Sequence, residues 1–151
     1  MFWYYISRFV WPMVLAIILG GVLGWQRERI GKAAGPRTYA LVSFGSALFT
    51  LLSINGFGAA NPAHVAAQVV TGIGFIGAGM ILRKNDGSVE GLTTAAGLWA
   101  VASIGMSVGV GWFWQSIAAT VLMLIVLSFN DDKLHNKTNL PGDRFRKHLD
   151  E

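Results

Sequence analysis

The chain has 151 residues, 53% of them hydrophobic and 13% charged, with a mean hydropathy of +0.49. Soluble domains are nearer a quarter charged, so this composition excludes an ordinary soluble domain, and the length suits one small membrane bundle. The lack of cysteine excludes disulfides, thiolate-held zinc and thiol catalysis. The net charge of +4 comes from residues flanking apolar segments, which is the loop bias of a membrane protein and not a nucleic-acid footprint.

No Asp, Glu, Lys or Arg occurs between Arg37 and Arg83, or between Glu90 and Asp131. As helix, each stretch would reach roughly 60 Å or more, against a bilayer core of about 30 Å. Each is long enough to cross twice. The expected fold is therefore all-α, a polytopic bundle of about five spans, with residues 1–130 as the membrane domain and 131–151 as a polar tail.

The first span is predicted at about 9–26, with Pro12 in its first turn, where a missing N–H costs least. Trp3, Tyr4, Tyr5 and Trp11 suit one interface and Trp25 the other. With no small-residue cleavage site before the charges, this reads as a retained helix rather than a signal peptide. A basic loop follows through Arg27, Arg29, Lys32 and Arg37, with Glu28 as its one acid. The second span is expected at about 38–54 and ends in an uncharged turn-rich segment, 55–62. The third runs at about 63–82, followed by a short charged loop, 83–90. The fourth runs at about 92–108, turns at Gly109-Val110-Gly111, and the fifth reaches about Phe129. Lys and Arg fall only in the first and third loops, which places these and the tail in the cytoplasm and the N-terminus outside.

Small residues dominate two of these spans. In the third, Gln68, Gly72, Phe75 and Gly79 share one helical face, while Gly74, Gly77 and Ala78 lie on another. Small residues on two faces admit two close neighbours, so this helix is expected at the centre of the bundle. The fourth span carries Thr93, Thr94, Gly97, Ala100 and Ser107, and GxxxG pairs occur at Gly20/Gly24 and Gly105/Gly109. Packing within the chain is the expected use of most of these faces, and a dimer contact the use of at least one. Gly72–Gly77 also spells GxGxxG, but it lies inside a span with no preceding strand and no following acid, so a dinucleotide site is rejected.

Glu28 stands alone at a membrane boundary. It reads either as a salt-bridge partner of Arg37 or Arg83 or as a gating or contact residue. Intramembrane Ser and Thr, and Gln68, are expected to bond across helices or to their own backbone. No carboxylate or base lies at mid-membrane, where ion carriers commonly place one, and Mg²⁺ is usually held through carboxylates. His64, His135 and His148 show no metal-ligand spacing. No nucleophile–base pair is visible, so neither enzymatic activity nor a cofactor is expected.

Three blocks then come in a recognisable order: Glu28-Arg29 with Gly31–Thr38, Ala67–Gly79, and Gly91–Ala96 with Leu98-Trp99. Together they resemble the MgtC/SapB family of bacterial inner-membrane proteins, over roughly residues 10–130. The resemblance implies a multi-helix inner-membrane module tied to growth at low magnesium, acid stress and survival in macrophages. It also implies regulation through contacts with other membrane proteins, among them membrane subunits of the F-type ATP synthase, with a P-type ATPase as a further partner. Virulence-type members continue into a cytoplasmic ACT-like domain, and the chain reads as a short form lacking it. Some members have Asn in the last block where Thr93 stands here.

Two functions follow as expectations. One is a regulatory protein, forming a homo-oligomer (a dimer) and contacting partners through Gln68, Gly72, Gly74, Gly77, Gly79, Thr93, Thr94 and Gly97. Its charged cytoplasmic motif is Glu28, Arg29, Lys32, Arg37 and Arg83. The other is a small oligomeric channel or transporter for Mg²⁺ or protons, lined by Gln68 and hydroxyls and guarded by Glu28.

Overall fold

In the computed structural model, residues 6–56, 62–85 and 87–129 are described. The predicted belt residues Trp3, Tyr4 and Tyr5, most of the turn-rich segment and the polar tail lie outside them. Five α-helices account for nearly all of the described chain: α1 (Trp11–Arg29), α2 (Pro36–Asn55), α3 (Pro62–Gly79), α4 (Leu92–Val110) and α5 (Phe113–Ser128). The all-α bundle expected from the charge-free stretches is what the chain forms.

Local chemistry sets the ends. α1 continues from a π-helical turn, Ile6–Val10, because Val10 already has helical backbone angles and Pro12 sits where no intrahelical N–H is needed. α2 opens on Pro36 after an extended Gly35. α4 ends at Gly111, whose φ of 93° lets its N–H reach Val108 O at 2.9 Å, while Trp112 N–H reaches Ser107 O at 2.9 Å. The charged loop after α3 is not irregular: Leu82–Arg83 (β1) and Val89–Glu90 (β2) pair antiparallel, Leu82 opposite Glu90 and Arg83 opposite Val89. Lys84 and Glu90 form an ion pair across this hairpin. Gly91 closes it at φ 85°, and a Cβ there would overlap Met80 O, so only glycine fits.

Three helices are long and apolar enough to cross a bilayer: Ser7–Arg29, Pro36–Asn55 and Leu92–Val110. α3 and α5, at 18 and 16 residues, are apolar but fall short of the ~20 residues of a full span.

The core lies between α1, α2 and α4. Ala16 and Leu23 of α1, Tyr39 and Ala47 of α2, and Leu98, Val101 and Val108 of α4 are buried together. Glycines bring these three backbones close. A Cβ on Gly20 would stand 2.6 Å from Tyr39 O, and one on Gly24 2.6 Å from Gly35 O. Further along the same face of α2, a Cβ on Gly109 would stand 2.7 Å from Ala47 O, and one on Gly105 would overlap Ser43 O. Both GxxxG pairs are thus spent inside the chain, clamping α1 and α4 onto one face of α2.

The expected central position of the third span is not what the fold has. α3 packs beside α4 and α2 at the edge, with Ile73 and Gly77 as its buried residues, and Gly72, Gly74 and Gly79 face open space. The reason is physical: a glycine face permits close approach but does not say which helix takes it, and α1 and α4 take α2 first.

Filling the clamp costs stability where opening it does not. Gly20→Ala and Gly105→Ala are each expected to lower stability by about 1–3 kcal/mol through overpacking. Gly74→Ala, into open space, should be neutral or slightly stabilising by helix propensity. Thermal unfolding of the purified variants in one detergent ranks them.

Candidate functional site

Two features stand out from the bundle, one buried and one open. The buried one is Arg27. It lies one helical repeat beyond Gly20 and Leu23, on the same face of α1, and that register carries it inward: its side chain is 1% exposed. Its Nη2 donates a long bond of 3.5 Å to Thr94 Oγ1, in the first turn of α4. The Tyr39 hydroxyl of α2 lies beside the guanidinium. Arg27 Nε, Tyr39 Oη and Ser43 Oγ are buried with no hydrogen-bond partner among the described residues. Gly97 belongs to this cluster, because a Cβ there would overlap Tyr39 Oη. Next to it, Gln26 ties α1 to α5, donating to Ser128 Oγ at 2.9 Å and Leu124 O at 3.4 Å.

The expected charged motif sits on the outside of the same end. Glu28, Arg29, Arg37 and Arg83 are exposed and Lys32 is half-buried. Glu28 forms no ion pair with Arg37 or Arg83, so the predicted carboxylate lock between helix ends is absent; its carboxylate rests near Gly35 instead, 3.4 Å from where a Cβ would be. Arg29 stacks over the Trp25 ring, 3.6 Å from its centroid. The buried charge that a reading by sequence passes over is Arg27, although the spacing Gly20, Leu23, Gly24, Arg27 already places it on the packed face.

The open feature is the outer side of α3. Gln68, Thr71, Gly72, Gly74 and Gly79 are exposed, and Phe75 projects at 82% exposure. Between α3 and α2 runs a groove of about 600 Å³, floored by Gly45, Ser46 and Gly72 and walled by Leu41, Phe49, Val69 and Ile76, with Gln68 on its edge. Thr71 bonds its own backbone, Oγ1 to Ala67 O at 2.9 Å, as do Thr50, Ser116 and Thr120. Thr94 instead bonds across helices to Arg27. Thr93 is exposed and Thr94 and Gly97 are buried, so the predicted interface residues divide: Thr94, Gly97 and Gly77 are used inside the chain, while Gln68, Gly72, Gly74 and Gly79 are presented outward. Among the described residues no three of His, Asp and Glu converge as metal ligands would.

The Thr94 contact predicts a difference between two chemically identical substitutions. Thr94→Val removes a bond to a buried charge and should cost about 1–3 kcal/mol. Thr71→Val removes only a local backbone bond on an exposed face and should stay within about 0.5 kcal/mol of the parent. Unfolding midpoints in detergent provide the comparison.

Comparison with known proteins places this architecture. The MgtC family model matches residues 13–136. The chain is 45% identical over 129 residues to YhiD of Escherichia coli K12, provisionally named a magnesium transporter, covering 80% of this chain and 60% of that protein. It is 42% identical over 116 residues to the protein MgtC of Salmonella typhimurium LT2, covering 77% of this chain and 49% of that one. An uncharacterised Haemophilus influenzae protein is 39% identical over 122 residues, with 75% and 51% covered. The chain thus spans about half to three-fifths of the length of these relatives. No solved structure matches it. With apolar helices long enough to cross a bilayer and a family match over most of its length, this membrane protein belongs to the MgtC family.

Proposed function

We propose that the chain is a regulatory protein of the bacterial inner membrane, acting by helix–helix contact with a second copy and with other membrane proteins during adaptation to low magnesium, acid or host stress. In this reading it is multi-pass, with the N-terminus outside, the basic loops in the cytoplasm, and no catalysis of its own. The observation that carries the reading is the contrast between outer faces. α1 turns Val14, Ile17, Ile18 and Val22 outward, and α5 turns Val121, Leu122, Ile125 and Val126 outward, as lipid contact favours. α3 also turns out Val70, Phe75 and Ile76, but it sets among them glycines, a threonine and Gln68, whose amide has no partner among the described residues. Small residues and an unmet amide in hydrocarbon suit a neighbouring helix better than lipid tails. The occupant of the α2–α3 groove is then a transmembrane helix of a partner. Membrane subunits of the F-type ATP synthase and a P-type ATPase are the partners that the family resemblance suggests.

The name of the YhiD relative favours a second reading, a small oligomeric channel or transporter for Mg²⁺ or protons lined by Gln68, with Glu28 at its mouth. A tagged pull-down from native membranes in mild detergent, set beside the Gly72→Leu/Gly79→Leu variant, separates the two. The regulatory reading expects co-purifying membrane subunits of an ATPase, lost in the variant while its folding is kept. Recovery of the protein alone as a defined oligomer, together with ion flux in proteoliposomes that Gln68→Ala abolishes, would contradict it.

A further inference from the structure

We propose that the basic end of the bundle is a binding site for a phosphate-type oxyanion, with Arg27 as its central ligand. Three helix ends meet there. α1 brings Arg27 in its last turn; α2 begins at Pro36 and α4 at Leu92, each after a glycine that supplies no side-chain cap. The free N–H groups of two helix starts add partial positive charge beside a guanidinium that is itself 1% exposed. The α1 C-terminus and the exposed Glu28 carboxylate, which rests near Gly35 at the start of α2, offset part of this, but no carboxylate pairs with the Arg27 guanidinium. The polar groups around the guanidinium are hydroxyls, Thr94 at 3.5 Å and Tyr39 beside it, and both can turn a hydrogen toward an anion.

A buried cation with no counter-charge is costly, and an Nε edge without a hydrogen bond is what a guanidinium uses to grip an oxyanion in fork geometry. Closed in as it is, Arg27 can meet an oxyanion only when its hydroxyl neighbours turn aside, while exposed Arg37 and half-buried Lys32 add positive charge at the same end. The site lies at the ends of membrane-length helices, the depth at which headgroup phosphates sit and where basic pockets between helices take anionic lipids. The same chemistry would serve free phosphate. This inference is independent of the α3 groove.

The test uses the full chain in phosphatidylcholine nanodiscs, with and without phosphatidylglycerol, and separately with inorganic phosphate added to the neutral discs. Thermal unfolding and lipid retention by native mass spectrometry are read for the parent, Arg27→Gln and Arg27→Lys. The expected result is a higher midpoint with one of the two probes, lost in Arg27→Gln and partly kept in Arg27→Lys, with retention about tenfold weaker or more in Arg27→Gln. A gain from phosphatidylglycerol alone assigns a lipid headgroup; a gain from inorganic phosphate in neutral discs assigns a free anion. Should Arg27→Gln not fold, the parent and Tyr39→Phe carry the measurement. A parent that neither retains nor is stabilised by either probe, or a gain undiminished in Arg27→Gln, overturns the site and leaves Arg27 a structural clasp between α1 and α4.

Discussion

Everything in this fold depends on how closely α1 and α4 approach one face of α2. In a bilayer the helices gain little from hiding apolar surface from each other, because lipid tails are as apolar as leucine. What remains is contact, and contact requires backbones to approach. Gly20 and Gly24 open α1 to the first half of α2, and Gly105 and Gly109 open α4 to the same face further along, from Ser43 to Thr50. The result is a three-helix slab in which alanine, glycine and serine line the closest approaches and leucine, valine and isoleucine fill the rest of the interior. α3 and α5 are appended to it, α5 through Gln26 and α3 through Gly77 beside Ala95.

That closeness also explains the polar interior. Arg27 lies on the Gly20 face because the same helical period that buries the glycines buries it, and Tyr39 meets it from α2 on the face that receives Gly20. The charge is therefore a consequence of register, not of a loop that happens to fold inward. It is also the point at which the bundle is least self-sufficient, since three buried polar atoms there have no partner among the described residues. A fold that is otherwise closed by packing is left with an electrostatic demand at one end and an uncovered groove along one side.

The helices themselves are readable in the sequence, since charge-free length and Pro/Gly punctuation set their existence and most of their ends. The hairpin at 82–90 is not, because a two-residue ladder carries no periodicity to detect. The two GxxxG pairs signal packing correctly, yet nothing in them names α2 as the shared neighbour. The glycines of α3 mislead for the same reason: Gly72, Gly74 and Gly79 look like the richest packing surface of the chain and touch nothing within it. Of the charged motif, the position at the end of α1 is legible, but the lock between Glu28 and an arginine is not realised. The buried cation is the neighbouring Arg27, which only its phase relative to Gly20 distinguishes from Arg29.

These features combine into one account, in which a rigid glycine-clamped slab displays α3 to another helix in the membrane. Its most direct test is a photo-cross-linking amino acid placed at position 75 on α3, and for comparison at position 125 on the aliphatic face of α5, in cells with native membranes. The account predicts a discrete polypeptide adduct from position 75 and lipid adducts alone from position 125. Lipid adducts alone from both positions, with the protein folded, would contradict it.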